Sequence, residues 1–188
     1  MSDSPIRYLP SPHADARPVG TEVDLLVVHA ISLPPGEFGG GYVDDLFLGR
    51  LDPGAHPYFV GLADLRVSAH FLIGRDGEVT QYVPVLRRAW HAGHSSWEGR
   101  LACNDYSVGV ELEGVDGGGF EPAQYERLAV LVRTLMAALP GLTPARVVGH
   151  RDIAPDRKWD PGSGFDWPGF RALLESVRPA RREMLVWD

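Results

Sequence analysis

The chain has 188 residues, 44% of them hydrophobic and 23% charged, so it can form one well-packed domain and is short for two. Its formal charge of −7 argues against nucleic acid as the main partner, because nucleic-acid-binding proteins rely on lysine and arginine contacts with phosphates. The single cysteine, Cys103, cannot form an intramolecular disulfide, which suits a reducing compartment. Neither a signal peptide nor an apolar run of about 20 residues is present. We therefore expect a cytoplasmic protein that does not contact a membrane.

The first third of the chain predicts an arm, a strand and a short helix. Residues 1–22 contain several prolines and little periodicity, which indicates an extended N-terminal arm. Residues 23–28 form a β-rich apolar run that delivers His29 at its carboxyl end. A loop rich in proline and glycine, residues 33–41, then precedes a short helix at 42–48, and we expect this loop to border a pocket.

The middle of the chain predicts a hairpin and a further strand. Two β-type runs, 67–74 and 79–83, flank an Asp-Gly pair, which is a strong hairpin signal. Residues 88–97 form a loop rich in histidine and tryptophan. The strand predicted at 107–114 carries Glu111 at mid-length, where an unpaired carboxylate is costly, and that cost makes Glu111 a candidate for function.

The last third predicts two helices around a strand. Pro122 opens a helix whose apolar stripe runs at three- and four-residue steps until Pro140-Gly141 ends it. A short strand at 146–149 follows, and a final helix is expected at about 167–177, before a polar tail. The pattern is typical of an α/β protein with helices packed on a mixed sheet.

Residues 150–162 carry most of the groups that a hydrolytic zinc centre needs. The prolines of this segment exclude a continuous helix and indicate an ordered loop. It contains a nitrogen ligand in His150, a cation in Lys158 and an oxygen ligand in Asp160. A mononuclear catalytic zinc takes three protein ligands and keeps a fourth position for water, so another histidine or carboxylate must come from elsewhere in the chain.

Seven histidines are available for that place. His29 and His150 rank first, because each closes a predicted strand and opens a loop, so both could converge at one edge of the sheet. On the residues alone, an ordinary hydrogen-bonded role for this pair stays open. The other histidines are interpreted as packed or supporting (His70), as part of a substrate wall (His91 and His94), and as surface residues (His13 and His56).

Several motifs, in the same order along the chain, closely resemble those of AmpD-type N-acetylmuramoyl-L-alanine amidases. They are Val28–Gly40, Val67–His70, Arg88–Gly93, Cys103–Asp105, Glu111–Gly114 and Gly149–Pro155, and the resemblance runs from about residue 11 to residue 170. It implies one α/β domain with a central mixed sheet flanked by helices and a zinc site at one edge of the sheet. Ala30, Arg151 and Trp159 differ from the residues common in the family, which are Asn, Cys and Thr.

The resemblance also implies an activity and the residues that perform it. The family cuts the amide between the lactyl group of N-acetylmuramic acid and L-alanine, and its cytosolic members act on 1,6-anhydro-muramyl peptides during cell-wall recycling. Carried onto this chain, His29, His150 and Asp160 match the ligands of one zinc ion. Glu111 matches the catalytic carboxylate, and Lys158 matches the cation near the scissile carbonyl.

Other roles remain as alternatives for individual residues. Glu113 lies on the same strand face as Glu111 and is the competing base. Glu111 could instead form an internal salt bridge with Lys158. Four residues are candidate substrate contacts: Trp90, His91, Arg66 and Ala30.

We expect an arm at 1–22, a zinc amidase domain at 23–178 and a C-terminal tail at 179–188, in a monomer whose partner is a muropeptide. A non-catalytic peptidoglycan-recognition module on the same fold is one alternative, and the complete ligand set argues against it. An amidase acting on intact peptidoglycan is another, and the lack of a signal peptide and of an anchoring domain argues against that reading.

Overall fold

A mixed six-stranded β-sheet forms the centre of the molecule, which a computed structural model describes for residues 5–188. The strands are β1 (Arg7–Tyr8), β2 (Ala14–Asp15), β3 (Leu25–Ile31), β4 (Phe71–Ile73), β5 (Val79–Gln81), β6 (Arg88–Ala89), β7 (Ser96–Trp97), β8 (Arg100–Leu101), β9 (Ser107–Glu113) and β10 (Val147–Gly149). The α-helices are α1 (Tyr42–Phe47), α2 (Pro122–Ala138), α3 (His150–Ile153) and α4 (Trp167–Ser176). The sheet order is β1-β5-β4-β9-β3-β10, with β4 and β5 antiparallel and the other neighbours parallel. The predicted α/β class with a mixed sheet is confirmed.

Strands β3 and β9 form the longest pair in the sheet. They run parallel in register from Leu25 opposite Ser107 to Ile31 opposite Glu113. Both strands lie inside the protein, as the continuous apolar run of β3 predicts. Because successive side chains point to opposite faces, Leu26 of β3 joins the large core on one face of the sheet, whereas its neighbour Leu25 packs on the other.

Helices α2 and α4 cover one face of this sheet. Pro122 occupies the first position of α2, and the side chain of Gln124 accepts a hydrogen bond from the backbone N–H of Glu121 at 3.0 Å, which caps the helix start. The apolar stripes of the two helices pack against the sheet through Leu128, Val132, Leu135, Phe170 and Leu174. Both predicted helices are confirmed. No helix within residues 5–188 combines the length and apolar character needed to cross a membrane.

Two expectations about the elements around the site are wrong in detail. His29 lies two residues inside β3 rather than at its end, because β9 continues to Glu113 and the ladder extends with it. Residues 150–162 do not form a loop throughout, since the first four make the one-turn helix α3. That helix ends before Pro155, so the exclusion of a continuous helix is confirmed.

Residues near both ends of the described range, 5–188, pack against the sheet. Strand β1 adds to the sheet edge beside β5. At the other end Leu185 is buried in the main core, and the backbone N–H of Val186 donates to Oε1 of Gln81 at 2.9 Å. The expected division into an arm at 1–22, a domain at 23–178 and a tail at 179–188 stays a prediction.

Arg17 ties the N-terminal segment to the centre of the protein. Its guanidinium donates hydrogen bonds of 2.9–3.1 Å to four backbone carbonyl oxygens, those of Val85, Asn104, Asp105 and Ser107. These carbonyls belong to two stretches of chain, at residue 85 and at residues 104–107, so one side chain holds the two stretches together.

Replacing Arg17 with alanine is expected to lower the free energy of unfolding by about 2–4 kcal/mol, because part-buried carbonyls lose a charged donor. Arg50→Ala is a matched control. Arg50 has a 63% exposed side chain paired to Asp45 at 2.7 Å, and loss of such a surface pair costs about 0–1 kcal/mol. Urea denaturation of both variants measures the difference, and equal losses would contradict the clamping role of Arg17.

Candidate metal centre and active site

The carboxyl ends of three adjacent parallel strands bring three predicted site residues together. His29 of β3 lies opposite Glu111 of β9 in the register, and His150 follows β10, which pairs with β3 on its other side. Asp160, which the sequence also predicts as a ligand, reaches the same place from the segment after α3. This edge is where parallel sheets place ligand sites.

Two histidines and one aspartate form a compact group of metal-ligand atoms. Nδ1 of His29 and Nδ1 of His150 lie 2.9 Å apart, and each lies 3.1 Å from Oδ2 of Asp160. All three residues are buried. Tetrahedral coordination with bonds of 2.0–2.1 Å separates ligand atoms by about 3.3 Å, so the three atoms stand close to the spacing that one zinc-sized ion requires.

Burial and mutual contacts keep His29 and Asp160 in the form that binds metals. Burial lowers the pKa of His29 to about 4, and the adjacent Asp160 offsets only part of that effect. Burial alone would raise the pKa of Asp160, but its hydrogen bonds with His150 and His29 outweigh burial and hold that pKa well below its ordinary value. A neutral imidazole and an ionised carboxylate are ready for coordination at neutral pH.

Each histidine of the group has a partner for its other ring nitrogen. Nε2 of His150 lies 3.2 Å from the carbonyl oxygen of Ala92, which also accepts from Arg157 at 2.6 Å. Nε2 of His29 lies 2.9 Å from Nδ1 of His91. These contacts leave the Nδ1 atoms of His29 and His150 directed at Asp160. The donor set of His29, His150 and Asp160 therefore fits a bound metal.

Glu111 is a buried carboxylate beside this group. It is 8% exposed, and its Oε2 has no hydrogen-bond partner among the described residues. Burial and the negative charge of Asp160 raise the pKa of Glu111 well above its ordinary value, and the positive charge of Lys158 opposes them. The ion pairs found within residues 5–188 do not include Glu111 with Lys158. A salt bridge is therefore not what holds Glu111 in place.

Glu113, the competing base, is occupied elsewhere. Its Oε1 accepts a hydrogen bond from the backbone N–H of Gly39 at 2.8 Å, and its Oε2 accepts one from the backbone N–H of Arg75 at 3.3 Å. Glu113 thus fastens the glycine-rich loop to the hairpin, and both of its oxygens are used.

A cavity of about 600 Å³ opens over the metal-ligand group, within the usual range for a small-molecule site. His29, His150, Asp160, Glu111 and Lys158 all border it. Three of the four predicted substrate contacts also do: Ala30, Trp90 and His91. The fourth, Arg66, is exposed and lies outside the cavity wall formed by the described residues, although Leu65 and Val67 belong to that wall.

The sequence did not point to part of this wall. Tyr58 and Leu62, in and beside the 3₁₀ turn Pro57–Gly61, border the cavity, as does Asp116. Trp159, which the sequence analysis singles out as a difference from the family, borders it too. Tyr58 and Trp159 are 49% and 42% exposed. An exposed aromatic next to a proline is a weak signal in sequence, since only the fold shows that the turn faces the sheet edge.

Comparison with known proteins agrees with this geometry. The family model for N-acetylmuramoyl-L-alanine amidase matches residues 19–163. The 1,6-anhydro-N-acetylmuramyl-L-alanine amidase AmpD of Salmonella typhimurium (strain SL1344) is 58% identical over 168 residues, which cover 89% of each chain.

Two solved structures show the same fold. The crystal structure of a selenomethionine derivative of AmpD is 56% identical with a TM-score of 0.88, covering 90% of this chain and 94% of that one. The amidase AmiD from E. coli, in complex with its substrate anhydro-N-acetylmuramic acid-L-Ala-D-γ-Glu-L-Lys, is 30% identical with a TM-score of 0.60, covering 87% of this chain and 62% of that one. The chain therefore belongs to the N-acetylmuramoyl-L-alanine amidase family.

Proposed function

We propose that this protein is a zinc amidase that hydrolyses the amide between N-acetylmuramic acid, in its 1,6-anhydro form, and the L-alanine of the stem peptide. The observation that carries the proposal is the juxtaposition in one cavity of a three-atom metal-ligand group and the unpartnered, buried carboxylate of Glu111. A hydrolytic metal centre needs both parts, a metal site that leaves room for water and a group that moves protons.

One zinc ion per chain would be held by Nδ1 of His29, Nδ1 of His150 and Oδ2 of Asp160. Two histidine nitrogens and one carboxylate oxygen are a usual ligand set for catalytic zinc, and such a site needs no cysteine ligand. When bound, zinc would supply Lewis-acid chemistry, which lowers the pKa of a water molecule to about 7 and so makes hydroxide available near neutral pH.

Glu111 acts as the proton carrier in this scheme. Its free Oε2 faces no competing donor among the described residues, so it can accept a proton from the attacking water. The water oxygen forms a bond to the carbonyl carbon, and the carbon–nitrogen bond of the amide then breaks. Glu111 returns the proton to the departing alanine nitrogen, because an amide nitrogen leaves poorly as an anion. The raised pKa of Glu111 suits a group that both takes up and releases a proton.

Lys158 supplies positive charge to the same cavity. Its ammonium can stabilise the negative charge that develops on the scissile carbonyl oxygen, an interaction that strengthens in the transition state. The ion pairs among the described residues do not engage Lys158, so its charge is available to a ligand.

The substrate assignment is supported by the relatives. The Salmonella typhimurium protein is named for the 1,6-anhydro-N-acetylmuramyl-L-alanine bond, and the AmiD complex holds an anhydro-muropeptide. We infer the same substrate class here, with cell-wall recycling in the cytoplasm as its setting and a monomer as the working form. Nucleic acid is not expected as a partner, given the negative charge of the chain.

A mass-spectrometric assay tests this proposal. The purified protein is incubated with 1,6-anhydro-muramyl-tripeptide and, in parallel, with intact peptidoglycan sacculi. We expect release of free tripeptide from the soluble fragment at a rate at least tenfold above that from sacculi. Faster release from sacculi would indicate an amidase of intact peptidoglycan, and zinc-loaded protein that cleaves neither substrate would indicate a recognition module.

Lys158→Met is expected to lower kcat about 10²- to 10³-fold with little change in KM, because the lost charge acts on the transition state. Arg151→Met is a nearby control, since the Arg151 side chain is exposed and lies outside the cavity wall formed by the described residues. Steady-state kinetics on anhydro-muramyl-tripeptide measures both variants. A Lys158→Met enzyme with near-normal kcat would exclude this role for Lys158.

A further inference from the structure

A chain of hydrogen bonds behind the metal-ligand group reaches from His29 to the protein backbone. Building on the zinc centre proposed above, we propose that His91 is a positioning residue. It accepts the Nε2–H of His29 and thereby fixes which nitrogen of His29 faces the metal. Both ring nitrogens of His91 are engaged, Nδ1 with His29 at 2.9 Å and Nε2 with the hydroxyl of Ser107 at 3.1 Å. This use of the ring differs from the substrate contact that the sequence suggested for His91.

The proton positions along this chain follow from its two ends. With a metal on Nδ1, the neutral ring of His29 carries its proton on Nε2 and donates it to Nδ1 of His91. His91 then carries its own proton on Nε2 and donates it to Oγ of Ser107. The Ser107 hydroxyl in turn donates to the carbonyl oxygen of Cys103 at 2.6 Å. His91 and Ser107 are each used once as acceptor and once as donor, and the chain ends on an oxygen that can only accept.

The surroundings of His91 hold its ring at this place. A Cβ atom added to Gly109 of β9 would lie 2.4 Å from Cγ of His91, so the ring occupies space that any larger residue at 109 would fill. The side chain of Asn104 fixes the adjacent backbone, because its Oδ1 accepts from the N–H of His91 at 3.1 Å and from that of Ala92 at 2.7 Å. His29 and His91 meet edge-on, with ring planes at 86°.

Loss of this acceptor is expected to weaken zinc binding. Without His91, the buried Nε2–H of His29 has no partner in the described structure, and the ring is free to take the other tautomer or to rotate. Removal of a hydrogen-bond partner behind a metal ligand typically weakens metal affinity about 10- to 100-fold.

Zinc affinities of the full chain and three variants test the inference, measured by competition with a chromophoric chelator at one pH. His91→Leu removes the acceptor and is expected to bind zinc about 10- to 100-fold more weakly. His91→Asn places an amide oxygen where Nδ1 of His91 stood and is expected to stay within about threefold of the unaltered protein. His94→Leu is the control, because His94 is an exposed histidine of the same loop and is expected to bind zinc normally.

Long-range ¹H–¹⁵N spectra of the zinc-loaded, unaltered protein give an independent readout. They are expected to show the proton of His29 on Nε2, and this result stands even if His91→Leu fails to fold. A proton of His29 on Nδ1 would overturn the inference. So would a folded His91→Leu protein whose zinc affinity is within threefold of normal, or a His91→Asn protein whose zinc affinity falls as far as that of His91→Leu. Failure of the unaltered protein to bind zinc would instead contradict the proposed metal centre, and the inference with it.

Discussion

Replacing Glu111 with glutamine is expected to lower kcat about 10²- to 10⁴-fold while zinc stays bound. The substitution keeps the size and shape of the side chain but removes its ability to take a proton from water. Glu111 is not one of the grouped metal-ligand atoms, so its loss should leave the metal site formed. Kinetics on anhydro-muramyl-tripeptide, together with zinc content from atomic absorption, measures both expectations in one preparation.

Glu113→Gln is the matched control for this experiment. Glu113 lies two residues along the same strand, faces the same side and accepts two backbone N–H groups of neighbouring loops. An amide oxygen can keep one of these hydrogen bonds, so we expect less than about a tenfold loss of kcat. A larger loss in Glu113→Gln than in Glu111→Gln would exchange the roles assigned to the two carboxylates.

Replacing His150 with alanine is expected to abolish both zinc binding and turnover. His150 supplies one of three buried ligand atoms, and a catalytic zinc ion needs three protein ligands, so the two that remain are too few to hold it. The unaltered protein should also gain stability from zinc, by about 2.7 kcal/mol when free zinc is 100 times its dissociation constant, whereas His150→Ala should gain none. Thermal unfolding with and without added zinc measures this difference.

Wild-type stability in the absence of zinc separates a binding defect from a folding defect in that variant. A His150→Ala protein that unfolds at the temperature of the zinc-free unaltered protein has lost the metal alone. Retention of zinc and of turnover by a folded His150→Ala protein would contradict the assigned ligand set.

The parts of the fold that depend on local pattern could be predicted from the sequence. Helix α2 was predicted because Pro122 and the apolar stripe are local signals, and the hairpin β4–β5 because Asp76-Gly77 marks its turn. The end of β3 was misplaced because the last paired residue of a strand is set by its neighbour, here β9, which the sequence of β3 does not contain.

The site shows the same division between local and distant information. His29, His150 and Asp160 were named because strand ends, residue type and a family resemblance all pointed to them. The sequence does not predict the hydrogen bonds of Arg17 to the backbone or the chain of hydrogen bonds from His91 to Ser107, because they join residues that are distant in sequence or lie in separate elements. Tyr58 was missed for the same reason, since nothing near it in the chain indicates that it borders the cavity.

The dependence of amide cleavage on bound zinc tests the central claim most directly. Metal-depleted protein is titrated with zinc, and release of free tripeptide from 1,6-anhydro-muramyl-tripeptide is followed by mass spectrometry at each step. Our account predicts no release without metal, an increase in proportion to zinc, and a plateau at one zinc ion per chain. Full turnover by the metal-depleted protein would contradict it.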